Sequence, residues 1–140
     1  MEAAYKIYQA DVQLKSKKLL NDELVVDEIK KIVIENTGIT LDQLHDKTRV
    51  RNIAKARQLF QYLAYKYTSY SLSYVGSLLG TNYDHTTILN SIYIINDILY
   101  LKDRDRYYTT VKSAIEQLEL KTNKRKREKQ DRNNYTKYDI

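Results

Sequence analysis

The chain has 140 residues, 42% hydrophobic and 30% charged, with net charge +6, three Gly, no Pro and no Cys. That length suits one domain with a single modest core, and the lack of Cys excludes disulfides, thiolate metal sites and cysteine nucleophiles. No run approaches the roughly 20 apolar residues of a membrane span, Glu2, Lys6 and Asp11 interrupt any signal-like start, and turn residues are too few for an all-β sandwich or barrel. The expectation is a small, basic, all-α, cytoplasmic protein.

In chain order, Tyr5, Tyr8, Val12 and Leu19 make an apolar stripe that predicts an amphipathic helix over about residues 3–20. Asn21 and Asp22 break it and cap the next helix. There Val25, Ile29, Ile32, Val33 and Asn36 form the stripe, and Gly38 ends it. Thr40 to Leu44 has the makings of one short turn. Ile53, Ala56, Phe60, Leu63 and Tyr67 predict a long helix over 51–67, with Arg51, Lys55 and Lys66 off the stripe. Two shorter pieces follow, 71–80 and 84–101, divided by Thr81-Asn82-Tyr83. Tyr108, Val111, Ile115 and Leu118 carry a last helix. After Leu120 the apolar period is lost, and residues 121–140 read as a basic tail. The expected domains are therefore 1–22, an N-terminal helix; 23–120, a helical domain; and 121–140, the tail.

Charge is concentrated in two places. Residues 121–140 hold eight Lys/Arg against three Asp/Glu, a net +5, and residues 45–83 hold six Lys/Arg against one Asp, again +5. Two separated basic segments point to a polyanion, most simply nucleic acid. Catalysis has no visible seat. The glycines at 38, 76 and 80 form no phosphate-binding loop or dinucleotide fingerprint. His45 and His85 lie too far apart in sequence to pair as metal ligands on one helix. No cofactor, no metal, no nucleotide and no membrane partner is expected, and no enzymatic activity.

Residues 71–80 have the grammar of the first helix of a helix-turn-helix. Ser71 caps it, Leu72, Val75 and Leu79 form its buried face, and Gly80 closes the turn. Asp84 or a neighbour caps the second helix, whose core stripe is Ile88, Ile92, Ile95 and Leu99. That leaves Asp84, His85, Thr86 and Thr87 at the start of the second helix, where such motifs offer side chains to base edges. Asp accepts from the cytosine amino group, a Thr methyl packs on the thymine methyl, and His or Thr hydrogen-bonds a base. The same four residues would also make an ordinary polar helix start.

The surrounding residues sharpen that reading. Arg51 to Leu63 fits the pattern R-x-x-A-x-x-R-Q-x-x-x-x-L, Thr68-x-x-Ser71-Leu72 leads into the motif, and Gly76-x-x-x-Gly80 precedes Asp84-His85-Thr86-Thr87-Ile88-Leu89. In this order they resemble the C-terminal DNA-binding domain, domain IV, of the bacterial replication initiator DnaA. The resemblance covers about residues 24–118. It implies an all-α helix-turn-helix bundle of the DnaA domain IV or Trp-repressor-like type, here with an extra N-terminal helix and a basic C-terminal tail.

It also implies roles. Arg49 falls where the family inserts an arginine into the minor groove of an A/T-rich box, whose narrow form deepens the negative potential. Asp84, His85, Thr86 and Thr87 fall on the major-groove readers. Arg57, Gln58, Thr68, Ser71 and Leu72 match phosphate contacts, Leu72 through backbone N–H groups. One departure stands out: Thr81-Asn82-Tyr83 makes the turn one residue longer than the family's, and Tyr83 replaces an often basic residue. The initiator's ATPase module is absent from this sequence, so the expected role is a stand-alone regulator of replication or transcription, nucleoid-associated and bound to double-stranded DNA. The alternative is a protein-interaction module that keeps the fold and binds a replication or regulatory protein. RNA is disfavoured, because a helix does not fit the deep, narrow A-form major groove. Most of Tyr62, Tyr65, Tyr67, Tyr70, Tyr74 and Tyr83 are expected as amphipathic core or boundary residues, their hydroxyls reaching water. His45 is expected at the surface without a role, and Lys102 to Arg106 as a solvated junction.

Overall fold

The computed structural model describes residues 21–122. The expected helix over 3–20 and the basic tail after Thr122 lie outside the described residues. Within them the chain is all α. Asn21 caps α1 (Asp22–Thr37) by accepting from the Leu24 N–H at 3.2 Å, and the Gly38 N–H closes its end on the Ile34 carbonyl. The short α2 (Leu41–His45) is held by a capping box: Thr40 accepts from Gln43 N–H at 3.1 Å, and Gln43 accepts from Thr40 N–H at 2.9 Å. Then come α3 (Arg51–Tyr67), α4 (Leu72–Ser77), α5 (His85–Leu101), a 3₁₀ turn (Lys102–Arg104) and α6 (Tyr108–Thr122).

The helix at the centre is α3, which packs against α1, α4 and α5, while α6 closes the domain against α1 and α5. The stripes read from the sequence supply the core: Val25, Ile29, Ile32 and Val33 from α1, Ile53, Ala56, Phe60 and Leu63 from α3, Ile88, Ile92 and Ile95 from α5, and Val111 and Leu118 from α6. Asn36, on the edge of the α1 stripe, donates to Gln117 at 3.2 Å and ties α1 to α6.

One burial goes beyond the sequence reading, and one expectation needs correction. Lys66 lies off the apolar stripe of α3, yet it is fully buried, its ammonium 5.6 Å from the Tyr62 ring centroid. The second half of α3 is enclosed on all sides, so no face is left to solvent, and the long aliphatic stem packs as an apolar one would. The expectation that tyrosine hydroxyls reach water fails at Tyr67 and Tyr83. Tyr62 and Tyr67 are buried, and the Tyr67 hydroxyl donates to Glu119 of α6 at 2.6 Å. That burial, followed by the Glu119 bond, pushes the Tyr67 phenol far above its usual value. The hydroxyls of Tyr83 and Tyr107 are shielded without a hydrogen-bond partner.

Candidate nucleic-acid interface

The sequence from Ser71 to Asp84 folds as a tight helix–turn–helix because each end of the turn is fixed separately. Ser71 caps α4 by accepting from the Tyr74 N–H at 3.1 Å. Val75 and Leu79 bury their side chains in the core, Gly80 takes the left-handed φ of 82° that closes the turn, and the Gly80 N–H bonds the Ser77 carbonyl. The chain leaves the turn where Tyr83 returns over Gly76. The Tyr83 N–H donates to the Gly76 carbonyl at 2.9 Å, and a Cβ on Gly76 would collide with the Tyr83 carbonyl oxygen. Gly76 is thus required by close approach, with Tyr83 as the residue that approaches.

From Tyr83 the chain enters α5 through Asp84, the N-cap residue. Its carboxylate makes no cap bond to the backbone. It accepts instead from the Thr86 hydroxyl at 2.9 Å and from His85 Nδ1 at 2.9 Å. The Thr86 hydroxyl, with the adjacent His85 ring, holds the exposed Asp84 carboxyl below the usual carboxylate range. Asp84 and His85 side chains are 66% and 56% exposed, and Thr86 and Thr87 are exposed too. From Ile88 onward the helix turns its apolar stripe into the core. The four expected base readers therefore form one continuous exposed segment at the start of a helix anchored behind them.

Arg49 sits exposed in the loop between α2 and α3. Local turns stiffen this loop: Asp46 accepts from the Thr48 N–H at 3.2 Å, and the Thr48 hydroxyl from the Val50 N–H at 3.3 Å. Arg57 then bolts it to the rest. One guanidinium nitrogen donates to the carbonyls of both Asp46 and Thr48 at 3.0 Å, and the guanidinium lies 5.4 Å from the Tyr83 ring centroid. Arg57 joins the arm that carries Arg49 to the turn that precedes the readers. His45 makes a second tie, its Nδ1 3.1 Å from the Leu79 carbonyl. A carbonyl only accepts, so Nδ1 carries the proton. This corrects the expectation of an idle surface histidine.

The remaining expected contacts fall in different settings. Gln58 is half-buried beside Arg57, Ser71 is exposed, and Leu72 is half-buried at the first turn of α4. Thr68 is buried, and its hydroxyl donates to the Ala64 carbonyl at 2.5 Å while accepting from the Tyr70 N–H at 3.3 Å. Its hydroxyl is turned into the end of α3 and away from the surface. Sequence reasoning missed Tyr83, Gly76 and His45 as positioning residues. The longer turn was the only sign of the first two, and nothing local marks the third. Among the described residues, no group of three or more His, Asp or Glu could hold a metal ion, and no helix is long and apolar enough to cross a membrane.

An α-helical domain whose capped short helix turns onto a second helix with an exposed polar start is a helix-turn-helix domain. A family model described as the bacterial DnaA protein helix-turn-helix matches residues 26–95, half of the chain, and the chain belongs to that family. It is similar to three chromosomal replication initiator proteins DnaA. The one from Bacteroides thetaiotaomicron is 37% identical over 68 residues, covering 49% of this chain and 14% of the relative. The one from Chromobacterium violaceum is 38% identical over 78 residues, 56% and 16% respectively. The one from Laribacter hongkongensis is 41% identical over 71 residues, 51% and 15%. The chain spans about one-seventh of these relatives' length. No solved structure matches it significantly.

Proposed function

We propose that this chain binds double-stranded DNA in a sequence-specific way, reading the major groove with His85, Thr86, Thr87 and Asp84 and the adjacent minor groove with Arg49. The observation that carries the reading is the tie through Arg57, which links the Arg49 arm to the turn before α5. Two groove-reading elements held at a fixed spacing suit a box of fixed length. Asp84 keeps its two neighbours oriented, and its carboxylate retains lone pairs for a cytosine amino group. Gln58, Ser71 and the N–H of Leu72 supply phosphate contacts that set the register. Arg57 and Thr68 serve in the free protein as struts for the arm and the loop before α4. On this reading the chain is a non-catalytic regulator of replication or transcription, needing no nucleotide, and works in the cytoplasm at the nucleoid. The expected division at residues 22 and 120 makes residues 23–120 the DNA-binding unit.

Selection from a random duplex library, followed by titration of the winning duplex, tests this directly. An enriched box, lost in the Thr86→Ala/Thr87→Ala protein with no change in its unfolding midpoint, is the expected result. A library that yields no box sinks the reading. It then favours a protein partner, for which Tyr100 and Leu101, exposed at the far end of α5, are the apolar contact points.

A further inference from the structure

A cleft of about 580 Å³ opens where the end of α1, the start of α3 and the start of α6 meet. Its walls carry the cations Arg51, Lys55 and Arg106, the polar groups of Asn52 and Thr110, and Tyr107, with no Asp or Glu among the lining residues. The carboxylate next in sequence, Asp105, is engaged by the Tyr107 backbone N–H at 2.7 Å. One further observation points to an anion. The start of α3 lies in the wall, and Val50 at its N-cap gives no side-chain cap, so the positive end of a 17-residue helix is open there.

The position of the cleft selects the kind of anion. Arg51 lies two residues from Arg49 and opens the same helix. Arg57 faces the Tyr83 ring, whereas the Lys55 ammonium sits 5.0 Å from the Tyr107 ring centroid. Residues two apart on a helix differ by about 200° in direction, so the cleft is on the flank of α3 opposite the helix-turn-helix. We propose that the cleft binds the sugar–phosphate backbone of duplex DNA beyond the step that receives Arg49, so that the footprint extends past the box on the minor-groove side. This rests on the reading that α5 and Arg49 bind a DNA box. It adds a contact from Arg106 and Thr110, which lie beyond the family-matched residues 26–95.

The test uses the full chain and its selected box in two duplexes, one with about ten extra base pairs on the minor-groove flank and one trimmed at the box edge. Wild type should bind the longer duplex more tightly, by about tenfold at low salt, and Lys55→Ala/Arg106→Ala should erase that advantage while keeping box preference. The salt slope on the longer duplex should drop by about 2, near 0.9 for each lost phosphate contact. Methylphosphonate linkages at the flanking phosphates should do the same to the wild-type protein, which removes any question of variant folding. Equal binding of the two duplexes by wild type overturns the proposal. So does a variant that weakens both duplexes alike. Inorganic phosphate and a deoxynucleoside monophosphate are titrated separately. Lys55/Arg106-dependent binding of either one, without flank dependence, would make the cleft a small-phosphate site and overturn the DNA assignment. If wild type selects no box, the functional reading fails and takes this proposal with it; if the box is selected and the flank is silent, only this proposal fails.

Discussion

From Leu59 to Tyr67 every residue of α3 is buried, whereas over its first two turns only Ile53 and Ala56 are. The later half holds Phe60, Tyr62, Leu63 and even Lys66 out of water, and its neighbours are fixed helices. The earlier half puts Arg51, Lys55, Arg57 and Gln58 on or near the surface, where they meet loops, rings and a cleft. One continuous helix is therefore an anchor at one end and a charged display at the other. Rigidity in the buried half lets the exposed half hold cations at fixed spacing without a large core beneath them.

Substitutions at the two ends should separate stability from recognition. Phe60→Ala, in the buried half, should cost about 3–5 kcal/mol in chemical denaturation, since a large side chain is removed from an enclosed site. The folded fraction should keep the wild-type box preference. Gly76→Ala comes next. A Cβ there meets backbone, which has little room to yield, and overpacking of this kind costs about 1–3 kcal/mol. Because Tyr83 must move, box selectivity should fall along with the denaturation midpoint.

Arg57→Lys tests the exposed half. A lysine ammonium cannot span two carbonyls and a ring as a planar guanidinium does. If Arg57 works as a strut, the variant should lose about 1.5–3 kcal/mol of stability, the range of hydrogen bonds to charged groups. Its selectivity for the spacing between the A/T step and the box should relax, with the salt slope unchanged. A slope lowered by about one with normal stability would make it a phosphate contact instead.

The smallest effect is alkaline. Tyr67 and Tyr107 both have phenols raised by burial above the usual 10.0. A raised phenol binds its proton more tightly in the folded state, so its contribution is complete below pH 10 and lost as pH rises beyond it. The denaturation midpoint should be flat up to about pH 9.5 and fall above 10, less steeply in Tyr67→Phe. A midpoint that is flat to pH 11.5 would contradict the burial of these hydroxyls.

The stripes of α1, α3 and α5, the cap at Ser71 and the turn at Gly80 were legible because each is a local pattern of period or capping. Asp84 to Thr87 were legible for the same reason: four polar residues immediately precede an apolar period. The burial of Lys66 was not legible because periodicity tells which face of a helix is apolar, and not that the opposite face is covered as well. The link from Arg57 to Asp46, Thr48 and Tyr83 joins a loop, a helix and a turn, and no spacing encodes it. The cleft is further still from a sequence pattern, since its walls come from residues as distant as Asn36 and Thr110. Tyr83 was visible only as an extra residue. Its closeness to Gly76 required the fold.

The pairing of the first and last described helices has a bearing on synthesis. The family-matched residues end within α5, yet α6 supplies Val111, Ala114 and Leu118 to the core, and Lys121 reaches Glu28 of α1 at 3.5 Å. A nascent chain that has left the ribosome only as far as residue 95 has a complete reading segment and an uncovered α1. It must wait for some 25 more residues, about one to five seconds of elongation, before the domain can close. During that interval the emerging polypeptide exposes the surface that α6 later seals, which makes the last helix a timing element in how this protein matures.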